Sequence, residues 1–258
     1  MADQRIRPNA LVIHEVIREE GDDELSRPAV GLALSALAAG LAMGFSPLTE
    51  SVLNSHLPDV PWRPLISKLG YAVGFLIVIT GRQQLFTENT LTPVLPLLSK
   101  PKLETLGKLL RLWAIVLVAN LVGTLAFAWV IGNTATFGPD VRHGFHELGT
   151  KAFEGSFGLH VLKGIFAGWL IALVVWMLPG AESGRLAIII IMTYIVGLAG
   201  LSHVIVGSVE TMYLVTTGAA SWGAYLGGFL APVLLGNILG GVTLVAALNF
   251  GQVAPDKG

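Results

Sequence analysis

One histidine, His203, lies inside an otherwise uncharged apolar stretch, residues 186–209, and is flanked by Gly197, Gly200 and Gly207. Ionisable side chains are expensive inside a membrane and usually serve a function there. An imidazole in such a place can attract a small anion, donate a hydrogen bond to it or exchange a proton with it. The alternative is a neutral histidine that a backbone carbonyl satisfies within a helical bundle.

A second polar interruption contains Thr87. The sequence "QLFTENTLTP", residues 84–93, follows an apolar run of 13 residues, 69–81. As a helix that run is about 20 Å long, whereas the hydrocarbon core of a bilayer is about 30 Å thick. The pattern therefore predicts a helix that breaks within the membrane. The hydroxyl of Thr87 either donates or accepts a hydrogen bond beside a pathway, or caps a segment that begins near Asn89.

Three charged residues lie near these interruptions or within an apolar stretch. Glu88 and Glu210 come just beyond the two interruptions, where they are either solvated at the mouths of a pathway or paired with Arg82 or other basic groups. Lys163 begins another apolar stretch. Its ammonium group either extends to the membrane surface or lines an outer vestibule and raises the local concentration of anions.

Aromatic residues surround the first interruption. Tyr71 and Phe75 are four residues apart and share one face of the short helix, and Phe86 lies in the interruption itself. Aromatic side chains at this spacing commonly serve helix packing. Because they border the predicted pathway, we expect them to form a hydrophobic constriction.

The composition assigns the chain to a broad class. Of 258 residues, 53% are hydrophobic and 13% are charged, whereas soluble domains carry about 25% charged residues. These values predict an integral membrane protein. The net charge of −1 gives no reason to expect a nucleic-acid partner, and the absence of cysteine excludes disulfides and zinc–thiolate sites.

Motifs of enzymes and water channels are missing. "HEV" at residue 14 and "HEL" at residue 146 lack the second histidine of a zinc protease motif. The sequence has no nucleophile elbow, P-loop or dinucleotide fingerprint, and no Asn-Pro-Ala pair. We therefore expect neither an enzyme nor a bound cofactor or metal.

The apolar stretches predict an all-α protein with six transmembrane helices. The predicted spans are residues 28–49, 69–99, 112–139, 164–180, 186–209 and 229–250. They form a channel domain over residues 28–250, between an N-terminal tail, 1–27, and a short C-terminal tail, 251–258. The N-terminal tail is polar and is predicted to contain an amphipathic helix over residues 10–20.

Basic residues in the loops predict the orientation. Four arginines lie in the N-terminal tail and four basic residues lie in the loop 100–111, against two in each of the loops after the first and third spans. Cytoplasmic loops carry the excess of lysine and arginine. Both termini are therefore expected in the cytoplasm.

The second and fifth spans, which contain the interruptions, occupy matching places in two three-span halves. Because three is odd, the halves must have opposite orientations in the membrane. Interrupted spans at matching positions of inverted repeats indicate a transport site, since unwound backbone at that depth must be buried in protein or reached by water.

Three short motifs resemble the formate/nitrite transporter family: "LFTENTL", "SHVIVGS" and "LGNILGG", in this order. The resemblance covers about residues 28–250. It implies an aquaporin-like fold of six spans, with the second and fifth helices broken, assembled as a homopentamer with one pore in each protomer. It also implies transport of small monovalent anions such as formate, nitrite, hydrosulfide or lactate, often together with protons.

The family's functional residues map onto this sequence by motif. The resemblance implies that His203 and Thr87 meet the substrate, that Lys151 lies at the outer mouth beside the Lys163 considered above, and that "LGNILGG" contributes Asn237. The apolar residues that would line the constriction are Tyr71, Phe75, Leu85 and Phe86.

The sequence departs from better-known members at three positions. Gly168 in the fourth span and Gly207 replace asparagines, and Ser202 replaces an acidic residue before the histidine. With two amides fewer, we expect more room and fewer hydrogen bonds around the centre of the pore.

The resulting hypothesis is passive or proton-linked passage of a small monovalent anion, or of its neutral acid, across the lipid bilayer of a bacterial inner membrane. The rival is a membrane scaffold or ligand sensor whose broken helices bind without conducting. A pore for a different small solute is the other alternative.

Overall fold

The computed structural model describes residues 9–253, which form helices and loops without a β-strand. Residues 1–8 and 254–258, parts of the two predicted tails, lie outside them. The α-helices are α1 (Ala10–Ser26), α2 (Ala29–Met43), α3 (Phe45–His56), α4 (Arg63–Ser67), α5 (Ala72–Thr80), α6 (Val94–Ser99), α7 (Leu103–Asn133), α8 (Pro139–Phe153), α9 (Phe157–Met177), α10 (Arg185–Leu198), α11 (Val204–Thr216), α12 (Ala231–Leu239) and α13 (Leu248–Val253). Two π-helical segments, Ala224–Leu230 and Gly240–Ala247, extend α12 at both ends.

Several helical runs have the length and composition to cross a membrane. Within residues 9–253 there are five, namely Ala29–His56, Arg63–Thr80, Leu103–Asn133, Phe157–Gly180 and Ala224–Gln252. Two shorter apolar helices, α10 and α11, lie on either side of the second interruption. The arrangement is that of a multi-pass membrane protein, and the count of six crossings stays a prediction.

The helices extend beyond the apolar stretches that predicted them. The predicted third span begins at residue 112, but α7 begins at Leu103, because Glu104 and Lys108 form an i,i+4 ion pair of 2.7 Å along its first turns. The apolar run 69–81 likewise belongs to the 18-residue helical run Arg63–Thr80. The length of each uncharged stretch therefore underestimated the length of the helix that contains it.

The first interruption begins where α5 ends. The N–H of Gln83 donates to the carbonyl of Val78 at 3.0 Å, and that of Arg82 donates to Ile79 at 3.2 Å. These two bonds, with Arg82 at a φ of +50°, form the Schellman arrangement that terminates helices. Glycine usually occupies this left-handed position, because other L-residues adopt it at a cost of about 1 kcal/mol. The helix therefore stops sharply at Thr80.

The second interruption repeats this geometry at the end of α10. The N–H of Leu201 donates to Val196 at 3.0 Å, and that of Gly200 donates to Gly197 at 3.2 Å. Here the left-handed residue is Gly200, with a φ of +61°. Two segments with unrelated sequences thus end in the same backbone motif, as expected of the matching spans of two internal repeats.

Close contacts between the outer helices of each half follow the same symmetry. In the first half Gly40 of α2 packs on α7, where an added Cβ would lie 2.9 Å from the Cα of Asn120. In the second half Gly168 of α9 packs on α12, where an added Cβ would lie 2.7 Å from the Cα of Asn237. Small residues let membrane helices approach closely enough for backbone contact. Each interrupted span is therefore held by a tightly packed pair of helices.

The predicted amphipathic helix of the N-terminal tail is present as α1 and runs on to Ser26. It packs on α6, α7 and α13, burying Ile17, Gly21 and Leu25. Glu20 accepts a hydrogen bond of 2.8 Å from Arg82, so α1 also contacts the first interruption. α1 contacts the last turn of α9, whereas α8 leads into the first turn of α9. The helices α1 and α8 therefore lie at opposite ends of the bundle.

The contact of α1 with the bundle should depend on pH through His14. This side chain is 6% exposed, its ring lies 6.5 Å from that of Trp176 and 5.8 Å from that of Phe250, and Nε2 has no partner among the described residues. Burial lowers the pKa of His14 below its ordinary value of 6.5. The docked helix therefore favours neutral His14, and docking should be strongest above about pH 6.5 and weaken as the pH falls through the lowered pKa.

We expect amide hydrogen exchange in α1, corrected for intrinsic rates, to be faster at about pH 5 than at about pH 7. His14→Phe should abolish this difference, because phenylalanine fills the site without titrating. The neighbouring Glu15 has its pKa lowered by a hydrogen bond from Arg18, so it stays ionised over this range. Equal pH dependence in the variant and the wild-type protein would contradict the assignment.

Candidate functional site

The two interruptions meet at a contact between His203 and Thr87. Nε2 of His203 lies 2.8 Å from Oγ1 of Thr87, although 116 residues separate them in the chain. His203 is 1% exposed and Thr87 is fully buried. The two residues singled out by type and position thus form one hydrogen-bonded pair in the middle of the bundle.

The backbone assigns the tautomer of His203. Nδ1 caps α11 by accepting a hydrogen bond of 3.3 Å from the N–H of Val206. A neutral imidazole has one donor and one acceptor nitrogen, so the proton is on Nε2, which donates to Thr87. The hydroxyl hydrogen of Thr87 then remains available for another acceptor. The site therefore presents one donor, the hydroxyl of Thr87, rather than a free base.

Asn237 holds the second interruption in place. Its Nδ2 donates to the carbonyls of Gly164 and Ser202, both at 2.9 Å, and its Oδ1 accepts from the N–H of Val204 at 2.9 Å. One buried amide thereby satisfies backbone groups on both sides of the break. Backbone groups left without partners at this depth would be costly, so Asn237 positions His203, which lies between Ser202 and Val204.

Asn120 holds the first interruption in the same way. Its Nδ2 donates to the carbonyls of Ala36 at 2.7 Å and Gln84 at 2.9 Å, and its Oδ1 accepts from the N–H of Phe86 at 3.0 Å. The sequence analysis missed this residue. The signal was available, since "NLVG" at residues 120–123 repeats "NILG" at 237–240.

A cavity of about 210 Å³ connects this centre with the α8 end of the bundle. His203 lies at its inner end, and Lys151 and Lys163, the two predicted vestibule residues, both line it. Lys68 and Glu210 line it as well. Three lysines and one carboxylate therefore face the same cavity, and the cations favour the entry of anions.

Lys68 is paired within the wall of the cavity. Its ammonium group contacts the carboxylate of Glu50, whose side chain is only 1% exposed. Neither residue was expected to contribute to the site. Because Glu50 neutralises Lys68, Lys151 and Lys163 supply most of the positive charge of the cavity.

The predicted constriction residues fall into two groups. Phe75 stands edge-on to the ring of His203, at 5.0 Å between centroids, and Tyr71 lies 5.6 Å from Phe75 and lines the cavity. Leu85 and Phe86 are buried on the other side of the interruption, with Phe86 5.8 Å from Trp113. The structure therefore brings Tyr71 to the cavity and Phe75 to His203, and the role of all four as a constriction stays a prediction.

The two glycines expected to leave room do not leave any. Gly168 faces the backbone of Asn237, and an added Cβ at Gly207 would lie 3.0 Å from Cε2 of Phe229. Gly168 is absent from the cavity wall, whereas Gly207 lines it. The expectation of more space is wrong, because close helix packing and an aromatic ring fill the volume that each glycine gives up.

A second histidine lines the cavity without having been expected. His160 of α9 is 2% exposed, and its ring lies 6.1 Å from that of Phe229. Within the described residues neither of its ring nitrogens has a hydrogen-bond partner. The cavity wall therefore holds two imidazoles, at its inner end and along α9.

Comparison with known proteins agrees with this architecture. The family profile "Formate/nitrite transporter" matches residues 11–251. The inner membrane protein YfdC of Escherichia coli K12 is 41% identical over 254 residues, which cover 98% of this chain and 82% of that protein.

Two solved structures share the fold. A pentameric formate channel with formate bound superposes with a TM-score of 0.73 at 21% identity, covering 87% of this chain and 97% of that one. An FNT family ion channel gives 0.78 at 20% identity, covering 94% and 99%. These matches confirm the predicted all-α fold, and they name transporters and channels rather than enzymes. The chain belongs to the formate/nitrite transporter family.

Proposed function

We propose that this protein conducts small monovalent anions of the formate or nitrite type, or their neutral acids, across a bacterial inner membrane. The observation that carries the proposal is the His203–Thr87 pair at the inner end of a cavity that contains Lys151 and Lys163. Cations at the entrance and hydrogen-bond donors at the centre suit a small acceptor that carries negative charge.

The energetics favour passage as a neutral acid. Moving a carboxylate from water into a medium of low dielectric constant costs on the order of 20 kcal/mol in the idealised limit, and several kcal/mol in real proteins. Two hydrogen bonds to a charged group return about 1.5–3 kcal/mol each. Donors from His203 and Thr87 therefore offset only part of the cost, and taking up a proton before the centre removes most of the remainder.

We further propose that the α1 end faces the cytoplasm and that the protein is a homopentamer. The orientation is supported by the excess of basic residues in the tail and in the loop 100–111. The assembly is supported by a pentameric channel of the same fold. Large apolar side chains on the outside, such as Leu34, Val118 and Phe166, suit contact with lipid or with neighbouring subunits.

The central pair can be tested by flux measurements in liposomes with formate, nitrite and acetate. His203→Ala is expected to lower the flux of the transported solute about tenfold or more, because it removes a donor and the cap of α11. Thr87→Val keeps the side-chain volume but removes the hydroxyl, and should lower flux by a similar factor. His146→Ala, on the exposed face of α8, serves as the control and should retain it.

Equal pH-dependent flux in wild-type protein and His203→Ala would contradict the role of the histidine. Unchanged uptake and selectivity in Thr87→Val would make that hydroxyl purely structural. If the wild-type protein moved none of the three solutes while remaining folded, a scaffold, a sensor or a pore for a different solute would be favoured instead.

A further inference from the structure

Glu210 is a carboxylate in the transport cavity that the mechanism above does not use. It follows His203 by seven residues on α11, so both lie on the same face, two turns apart. Among the described residues that line the cavity, it is the only acidic one. Its side chain forms neither a hydrogen bond nor an ion pair within the described part of the chain. An unpaired carboxyl group thus faces the path between the α8 end and His203.

The charges around Glu210 come from four elements. Lys68 lies on the 3-10 turn Lys68–Tyr71 and is paired with Glu50 of α3, so its charge is already balanced. Lys151 of α8 and both Lys163 and His160 of α9 line the same cavity. None of these cations lies within 4.0 Å of the Glu210 carboxylate. Glu210 is therefore close to the cations that would gather anions, without being neutralised by one of them.

The central histidine is poorly placed to supply a proton. A proton added to His203 would have to occupy Nδ1, which now accepts the N–H of Val206. A protonated Nδ1 would be a donor that faces the donor N–H of Val206, and the hydrogen bond that caps α11 would be lost. The source of a proton for the substrate must therefore lie outside the His203–Thr87 pair.

We propose that Glu210 is the acid–base group that hands a proton to the anion before it reaches His203. The O–H bond of the Glu210 carboxyl group breaks, its proton forms a new O–H bond on the bound anion, and Glu210 remains as a carboxylate. The neutral acid then passes the His203–Thr87 pair. The carboxylate regains a proton from hydronium in the water of the α8 end, which returns the site to its starting state.

This inference rests on the proposed transport of weak-acid anions. It gives Glu210 one role while it is protonated and another after it has released its proton. A permanently charged Glu210 would repel the anions that Lys151 and Lys163 attract. A protonated Glu210 leaves that attraction intact and is a hydrogen-bond donor toward the incoming anion. After the transfer its negative charge favours the arrival of the next proton. In this chain Ser202 stands where the family resemblance leads one to expect an acidic residue, so Glu210 provides a carboxyl group at a different point of the pathway.

The test compares formate uptake and the accompanying proton uptake in liposomes, across a range from mildly acidic to mildly alkaline outer pH. Glu210→Gln is similar in size and cannot release a proton. It should lower both fluxes about tenfold or more and flatten their pH dependence. Glu210→Asp retains an acid and should restore most of the flux. Glu154→Gln, exposed just after α8, is the matched control and should behave as wild type.

Three results would overturn the inference. Flux that rises in Glu210→Gln would mean that the carboxylate merely repels anions. Flux that falls by the same factor at every pH, with no recovery in Glu210→Asp and a lowered melting temperature, would mean a structural role. Wild-type behaviour in Glu210→Gln would remove Glu210 from the pathway while leaving transport itself intact. Failure of wild-type protein to carry formate or any other small weak acid would instead overturn the proposed function, and with it the proton transfer from Glu210.

Discussion

Replacement of Asn237 by leucine is expected to destabilise the protein by roughly 3–9 kcal/mol, since three buried backbone groups lose their partners at about 1–3 kcal/mol each. Those groups are the carbonyls of Gly164 and Ser202 and the N–H of Val204. A loss of this size is comparable with the whole stability of many domains. Leucine has the same number and branching of side-chain heavy atoms as asparagine and is not smaller, so the effect would come mainly from hydrogen bonding and not from a cavity.

The measurement is the melting temperature and elution volume of the detergent-purified protein. Asn120→Leu, which removes the equivalent three bonds in the first half, should cost a similar amount. Asn54→Leu is the control, because Asn54 on α3 is half-buried and forms no side-chain hydrogen bond within residues 9–253. If Asn237→Leu melted like Asn54→Leu, the asparagine would not be what holds the second interruption.

Gly168→Val should be nearly as damaging, for a steric reason. An added Cβ at Gly168 would lie 2.7 Å from the Cα of Asn237, and the atoms it meets belong to backbone that cannot rotate away. Overpacking of this kind costs about 3 kcal/mol or more when the neighbour cannot adjust. We expect α9 and α12 to separate, with loss of folded protein and of flux.

Gly158→Val on the same helix provides the matched comparison, because an added Cβ there has no neighbour within 4 Å. Helix-propensity differences between the first turn of α9, where Gly158 lies, and its interior amount to less than about 1 kcal/mol, so a larger difference between the two variants reports the contact with Asn237. Similar expression and melting temperatures for the two variants would show that α9 and α12 can tolerate a wider separation.

The family's asparagine cannot be restored at position 168 by simple substitution. Any side chain there meets the same backbone of Asn237, so Gly168 is a packing requirement of this chain rather than an omission. The same holds at Gly207, where the ring of Phe229 occupies the neighbouring volume. The polar groups that line the cavity stand at other positions of this chain, among them Glu210, His160 and Lys68.

Local sequence determined the features that depend on consecutive residues. Apolar length and the lack of charge predicted the membrane helices, because burial in lipid requires about 20 apolar residues in a row. The polar stretches at 84–93 and around His203 predicted the two interruptions, since unwound backbone needs polar surroundings. Lys163 was placed at the mouth by its position at the fourth span and Lys151 by the family resemblance, and both line the cavity.

Only the tertiary structure decided which side chains meet across the fold. Thr87 contacts His203, and Asn120 and Asn237 hydrogen-bond to the two interruptions, although these residues lie far apart in the chain. Such contacts depend on the rotation of each helix about its axis. The same rotation places Glu210 of α11 in the cavity wall, whereas Leu85 and Phe86 belong to the interruption itself and are absent from that wall. The sequence constrains such rotations weakly, because a helix in lipid is apolar on all sides and hydrophobic periodicity no longer distinguishes the inward face.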